Sequence, residues 1–162
     1  MNGIRAVLRA LHEGEHRLER DLLTAADRHR ADHEIHHVAT DIARWSREHT
    51  ERLADAGRHY DLDLSGAHEP APGLWAGLRE KTGEALGRRP EPGLLLLHDL
   101  SGLHLTATEN SLNWEMLAQA AQATSDHRLL GLATACHPQT LRQMRWTNTM
   151  IKTLAPQSLT SM

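Results

Sequence analysis

Apolar residues recur every three or four positions along four long stretches of this chain, and that spacing places them on one side of an α-helix. The four apolar stripes are Ile4, Leu8, Leu11, Leu18, Leu22 and Ala25; Ile35, Val38, Ile42, Trp45, Leu53 and Ala56; Leu96, Leu100, Leu103, Ala107, Trp114, Leu117 and Ala121; and Leu130, Ala133, Leu141, Met144 and Ile151. The pattern predicts an all-α chain with helices at about 3–29, 32–57, 92–123 and 126–154.

The connections between these helices predict their arrangement. Short turns follow the first and third helices, so each pair forms an antiparallel hairpin. Residues 58–91 join the hairpins, and they are rich in Pro and Gly, apart from a short predicted helix at 74–86. Since a connection of this length can run along the whole bundle, the second and third helices can lie parallel. We expect a single domain over 1–162, an antiparallel four-helix bundle with one long crossover.

Pro138 falls inside the fourth helical pattern. Proline has no backbone N–H, and its ring clashes with the carbonyl four residues earlier. The sequence therefore predicts a kink or a break near residues 135–138.

Composition excludes several classes of protein. The chain has a net charge of −3 with acidic and basic residues interleaved, so we expect no nucleic acid partner. It has no apolar run long enough for a membrane span, and its single cysteine, Cys136, is typical of a reducing compartment such as the cytoplasm. No phosphate-binding loop, dinucleotide fingerprint or haem-attachment motif occurs, so neither nucleotide nor haem is predicted.

Each apolar stripe also contains a polar position, which is informative because burying a polar group costs free energy unless it has a partner. These positions are Glu15, His49, Asn110 with Glu109 beside it, and His137. The average of residue numbers 15 and 49 falls close to the first predicted turn, and the average of 110 and 137 falls close to the second. Residues equally far from a turn lie side by side in an antiparallel hairpin. Each pair is therefore expected at one level of its hairpin.

This arrangement resembles the ferritin-like di-iron carboxylate superfamily, in which inward-pointing Glu and His residues from four helices hold metal. The resemblance implies metal ligands at Glu15, His49, Glu109 or Asn110, and His137. Ser46 and Thr134 stand where that family has its two bridging glutamates. The resemblance therefore implies a site with fewer ligands than the family has, which holds one Fe, Mn or Zn ion and has a redox or iron-handling role.

Other interpretations remain open. The pairs His12 with His16 and His33 with His37 have the spacing of hemerythrin-like ligands, although the later helices do not repeat it. The polar positions also fit a buried hydrogen-bond network in a non-enzymatic scaffold or assembly protein that has lost its metal. No catalytic residue is assigned, and a homodimer is expected because two-fold symmetry is the commonest oligomeric form.

Overall fold

A computed structural model describes residues 2–66 and 91–161, in which four α-helices pack against each other and no strand occurs. The helices are α1 (Asn2–Arg28), α2 (His33–Arg58), α3 (Pro92–Ala123) and α4 (His127–Thr160). The predictions of an all-helical chain and of four packed helices are confirmed. The predicted short helix at 74–86 lies outside the described residues.

Side-chain caps fix where α2 and α4 begin. Asp32 precedes α2 and accepts a hydrogen bond from the backbone N–H of Ile35. Asp126 precedes α4 and accepts from the N–H groups of Arg128 and Leu129. Each carboxylate satisfies N–H groups that have no partner inside the helix, and its charge suits the positive end of the helix dipole.

Contacts between the hairpins show the direction of α3 relative to α1. Arg28, at the end of α1, forms an ion pair with Asp99 near the start of α3, at 2.9 Å. Glu15, in the middle of α1, accepts a hydrogen bond from Trp114 further along α3. Residue numbers therefore rise along α1 as they fall along α3, so these two helices are antiparallel.

The same argument applies to α2 and α4. His49 contacts Gln139, whereas Gln143, further along α4, donates to the carbonyl of Ile42, which lies earlier in α2. The two helices are therefore antiparallel. Within the described residues, α2 and α3 consequently run in the same direction, and α2 ends at the opposite end of the bundle from the start of α3.

The buried face of α4 differs from the predicted one by about one residue. Its buried residues are Leu129, Leu132, Ala133, Cys136, Thr140, Gln143, Thr147 and Met150. Leu141, predicted to lie in the core, is 43% exposed. The prediction was wrong because Thr140, Gln143 and Thr147 are polar and do not mark the inner face. One residue is a rotation of about 100° around a helix.

Pro138 does not end α4, which continues from His127 to Thr160 and contains a second proline, Pro156. The predicted break is therefore wrong, and the kink stays a prediction. Pro138 is exposed, so its ring lies on the outer side of the helix. There the carbonyl that loses its N–H partner can be hydrated, which lowers the cost of an internal proline.

The apolar core forms clusters on both sides of a central polar layer. One cluster includes Leu8, Leu53 and Leu117, towards the start of α1. Another includes Leu22 and Ile42, towards the end of α1. Glu15, His49, Asn110 and Thr140 lie between these levels, where the sequence predicted the functional site. None of the described helices is both long and apolar enough to cross a membrane.

Candidate functional site

The central layer is built from polar side chains that are almost completely inaccessible. Glu15 is 0% exposed, and His49 and Asn110 are each 1% exposed. Ser46, Thr140 and Gln143 are buried at neighbouring positions of α2 and α4. Three of the five residues predicted as ligands are therefore in the core, on α1, α2 and α3.

Glu15 is the carboxylate at the centre of this layer. Its Oε1 lies 3.1 Å from His49 Nδ1, an ion-pair contact that is not aligned as a hydrogen bond. The same oxygen accepts hydrogen bonds from Trp114 Nε1 at 3.0 Å and from Thr140 Oγ1 at 3.5 Å. A buried carboxylate needs such donors because it has lost its hydration.

His49 is held between acceptors on two helices. Its Nε2 lies 2.8 Å from Oε1 of Gln139 on α4, and the edge of its ring meets the ring of Trp114 at a centroid distance of 5.7 Å. Burial alone would lower the pKa of His49, but its close contacts with Cys136 and Glu15, together with the charge of Glu15, raise it to about 10. At neutral pH the ring is therefore an imidazolium, which has no lone pair for a metal ion.

Asn110 lies against the only glycine in the middle of α1. A Cβ built on Gly14 would collide with the amide oxygen of Asn110, so the two helices approach closely here. Neither Oδ1 nor Nδ2 of Asn110 has a hydrogen-bond partner, and Oε2 of Glu15 also has none. These atoms are the unsatisfied polar groups next to the ion pair.

Gln143 adds a second link between α2 and α4. Its Nε2 donates to the backbone carbonyl of Ile42 at 3.0 Å and contacts Ser46 Oγ at 2.9 Å. The carbonyl of Ile42 thereby gains a partner from another helix. The layer is thus a network that joins α1, α2, α3 and α4 through side chains.

The remaining predicted ligands lie elsewhere. Glu109 is exposed on α3. His137 Nε2 lies 2.8 Å from Ser111 Oγ, its Nδ1 lies 3.8 Å from Glu115, and its side chain is 19% exposed. Both nitrogens of His137 therefore face α3 and not the Glu15 and His49 pair. Cys136, one residue earlier, occupies the inner position, because the buried face of α4 differs from the predicted one by one residue.

Several members of the layer were not predicted. Ser46, Gln139, Thr140 and Gln143 are polar residues on the inner sides of α2 and α4 that bond to other layer residues or to the backbone. A signal existed in the four-residue spacing of Cys136 and Thr140, but hydroxyl residues are common on both faces of a helix. Trp114 was predicted as a core residue near the site, and it is buried there.

Two surface clefts in the described part of the chain lie away from this layer. A cleft of about 510 Å³ at one end of the bundle is lined by residues that include His59, Tyr60 and Asp126. A smaller one of about 150 Å³ lies between α1 and α3 and is lined in part by Arg28 and Asp99. In neither cleft does a member of the central layer form part of the wall.

The ligand set is incomplete for a metal centre of the predicted kind. Within residues 2–66 and 91–161, no three or more His, Cys, Asp or Glu side chains form a group that could hold a metal ion. Glu15 is in direct contact with His49, Cys136 contacts the same histidine, and Asn110 adds an amide. The layer as it stands is a network built around one ion pair.

No protein-family model matches the sequence, and comparison with curated proteins and with solved structures gives no significant match. The resemblance to the ferritin-like superfamily therefore depends on helix order and on a few residues.

Proposed function

We propose that this chain is a non-enzymatic helical-bundle assembly protein that pairs with a second copy of itself through the outer face of α3 and α4. In this proposal the buried Glu15 and His49 layer is structural and sets the register of the helices. The observation that supports the proposal most directly is the row of exposed apolar side chains on α3.

Leu105, Leu112 and Met116 of α3 are 46%, 61% and 52% exposed. Their spacings of seven and four residues place them on one line along the helix, and the exposed Glu109 lies on the same line between Leu105 and Leu112. Leu141 of the adjacent helix α4 is 43% exposed. We call these four residues the apolar row. Neighbouring exposed apolar residues of this size are typical of protein interfaces, whereas single ones are common on any surface.

The charges of the two helices favour a second copy as the partner. The charged side chains of α3 apart from histidine are Asp99, which is paired with Arg28 and His29 of the same chain, and the exposed Glu109 and Glu115. Those of α4 are Arg128, Arg142, Arg145 and Lys152, all basic. A two-fold axis parallel to the helices would bring α3 of one copy against α4 of the other. Acidic and basic residues would then face each other in both halves of the interface.

The central layer supports a structural role. Nε2 of His49 bonds to Gln139, and the imidazolium charge is matched by Glu15, whose carboxylate lies 3.1 Å from Nδ1. Apart from the half-buried Gln139, every layer residue is at most 1% exposed, so substrate has no access to the ion pair. A buried polar network of this kind specifies one packing arrangement of the helices.

The test of this proposal is the mass of the protein in solution, measured by light scattering after gel filtration. Wild type is expected to be a dimer, and Leu112→Glu is expected to be monomeric because it removes the most exposed leucine of the apolar row and puts a second acidic charge one turn from Glu109. Leu23→Glu is the matched control: Leu23 is 44% exposed on α1, outside the row, so this variant should stay dimeric. A monomeric wild type, or a dimeric Leu112→Glu variant, would contradict the proposal.

A second candidate is metal binding in the core, as the ferritin-like resemblance implies. It is favoured by the unpartnered Oε2 of Glu15 and the unpartnered amide of Asn110. These two groups and the deprotonated ring of His49 would hold one Fe, Mn or Zn ion, which would supply Lewis-acid or redox chemistry. Glu109 and His137 do not fit this site, because one is exposed and the other faces Ser111.

Elemental analysis of untagged protein tests the second candidate. One metal ion per chain that is lost in Glu15→Gln and kept in Glu109→Gln would support it. Metal-free protein whose stability does not change with chelator would contradict it and would leave the assembly proposal in place. The two candidates are distinguishable because Leu112→Glu affects only association.

A further inference from the structure

Four histidines lie together at the turn between α1 and α2: His29, His33, His36 and His37. They are part of neither the central layer nor the apolar row. His37 lies 12 residues before His49 on α2, a distance of about 18 Å along the helix axis. The four imidazoles differ in what they bond to, and that difference is informative.

Two of the four are used by the fold. His29 Nε2 lies 2.6 Å from Asp99 Oδ2 and links the end of α1 to α3. His36 Nδ1 lies 2.8 Å from the backbone carbonyl of Ala26, which ties α2 to the last turn of α1. Both rings are partly buried. These residues therefore have a structural reason to be histidine.

The other two, His33 and His37, are exposed and have no such reason. Within the described part of the chain, neither ring forms a hydrogen bond or an ion pair. They are one helical turn apart, and their rings are nearly parallel, with centroids 6.2 Å apart and planes inclined by 12°. The lone pairs of both rings are thus open to solvent on the same side of α2.

We propose that His33 and His37 form a bidentate site for a divalent transition metal ion such as Zn²⁺, Cu²⁺ or Ni²⁺. Imidazole is a preferred ligand for these ions. Residues four apart on a helix project to the same side, so two exposed rings can turn their nitrogens to one ion. The rigid helix holds both ligands in place before the ion arrives, which reduces the entropy lost on binding.

The site is distinct from the proposed core site in its ligands and its access. The described residues offer no third His, Cys, Asp or Glu that completes a group here. Two ligands therefore come from the protein and solvent fills the other positions. Such a site binds exchangeable metal and leaves coordination positions open to a further ligand.

Calorimetric titration of untagged protein with ZnCl₂ and with NiCl₂ tests the proposal. Wild type is expected to bind one ion of either metal at this site. His33→Ala and His37→Ala should each weaken binding at least about tenfold, since even the loss of outer-shell partners weakens metal sites 10- to 100-fold. Circular dichroism checks that both variants are folded, as expected for exposed positions.

The double variant His59→Ala, His127→Ala is the matched control, because both histidines are exposed at the other end of the bundle. It should bind as wild type does. The proposal is overturned if His33→Ala and His37→Ala bind like wild type. It is also overturned if His12→Ala abolishes binding instead, or if wild type binds neither metal.

Discussion

Glu15 on α1 and His49 on α2 lie with Oε1 and Nδ1 3.1 Å apart, and neither side chain is more than 1% exposed. The pair joins the two helices of the first hairpin, and Trp114 of the second hairpin donates to the same carboxylate. Two opposite charges are thus buried in a core of leucine and alanine. Removing one of them leaves the other without compensation.

We expect Glu15→Gln and His49→Gln each to destabilise the protein by about 3–5 kcal/mol, as found when one partner of a buried ion pair is removed. The double variant should lose much less than the sum of the two, because no unpaired charge remains. Urea unfolding followed by circular dichroism measures all four proteins. The exposed control Glu109→Gln should change stability by less than about 0.5 kcal/mol. Additive losses would show that the two side chains do not interact.

The raised pKa of His49 predicts how stability depends on pH. Its pKa is about 10 in the folded protein, against 6.5 for an unperturbed histidine, so the folded state holds the proton more tightly. This contribution is complete below about pH 6.5 and is lost as the pH rises towards 10, with a slope of at most about 1.4 kcal/mol per pH unit. Unfolding free energies measured at pH 7, 8 and 9 should therefore fall in wild type. His49→Gln should give a flatter profile, and equal slopes in the two proteins would contradict this account.

The close approach of α1 and α3 at Gly14 predicts a strong effect of a single methyl group. Gly14→Ala should destabilise the protein by about 1–3 kcal/mol, because the Cβ would overlap Asn110 in a buried site. Gly131→Ala is the matched control: Gly131 is exposed on α4 with nothing near its Cβ position, so alanine should stabilise the helix by about 0.5–1 kcal/mol. Thermal unfolding compares the two.

The same contact predicts a rescue. Asn110→Ala removes the side chain that Gly14→Ala would strike, and it also removes two unpartnered polar atoms from the core. In the Asn110→Ala background, Gly14→Ala should therefore cost less than about 0.5 kcal/mol, the usual limit for non-interacting sites. An undiminished loss in that background would mean that the strain at Gly14 arises elsewhere.

The bonds of Asp126 at the start of α4 lead to a further prediction. It accepts hydrogen bonds from the hydroxyl of Tyr60 and from two backbone N–H groups, and these bonds lower its pKa. Burial and the bond to Asp126 raise the pKa of Tyr60 to about 12. Asp126→Ala should cost about 1–2 kcal/mol for the helix cap, and the loss of the tyrosine bond adds to this. Tyr60→Phe should cost only about 0.5–1.5 kcal/mol, since the cap remains. Denaturant unfolding measures the stability of the two variants. A larger loss of stability in Tyr60→Phe than in Asp126→Ala would contradict this interpretation.

Most of the fold could be predicted from the sequence because helix periodicity and caps act locally. Asp32 and Asp126 mark two helix starts, and apolar spacing marks the helix interiors. The end of α4 was predicted at residue 154, and it lies at 160. Its last residues are mostly exposed, so they carry no stripe that could mark the end of the helix.

The site could be predicted only on the helices whose inner face is apolar on both sides of the polar residue. Glu15 lies between Leu11 and Leu18, and it is buried as predicted. On α4 the inner face is itself polar at Thr140 and Gln143, so the visible apolar residues indicated a face about 100° away. His137 was therefore predicted to point inward, whereas Cys136 is the residue that does. Packing against α2 and α3 decides between these two faces, and no local sequence signal does.

The parallel course of α2 and α3 has a consequence for how the chain folds. Helices within a hairpin meet across a short turn, whereas Glu15 meets Trp114 99 residues later and Gln143 meets Ile42 across 101. Loop-closure entropy therefore makes the docking of one preformed hairpin on the other the slow step. A docking shifted by one turn would keep Glu15 and His49 paired, but it would take them away from Trp114, Thr140 and Gln139, their partners on the second hairpin. These bonds between the hairpins thus discriminate against wrongly docked arrangements, in which the buried charged groups would lose their polar partners.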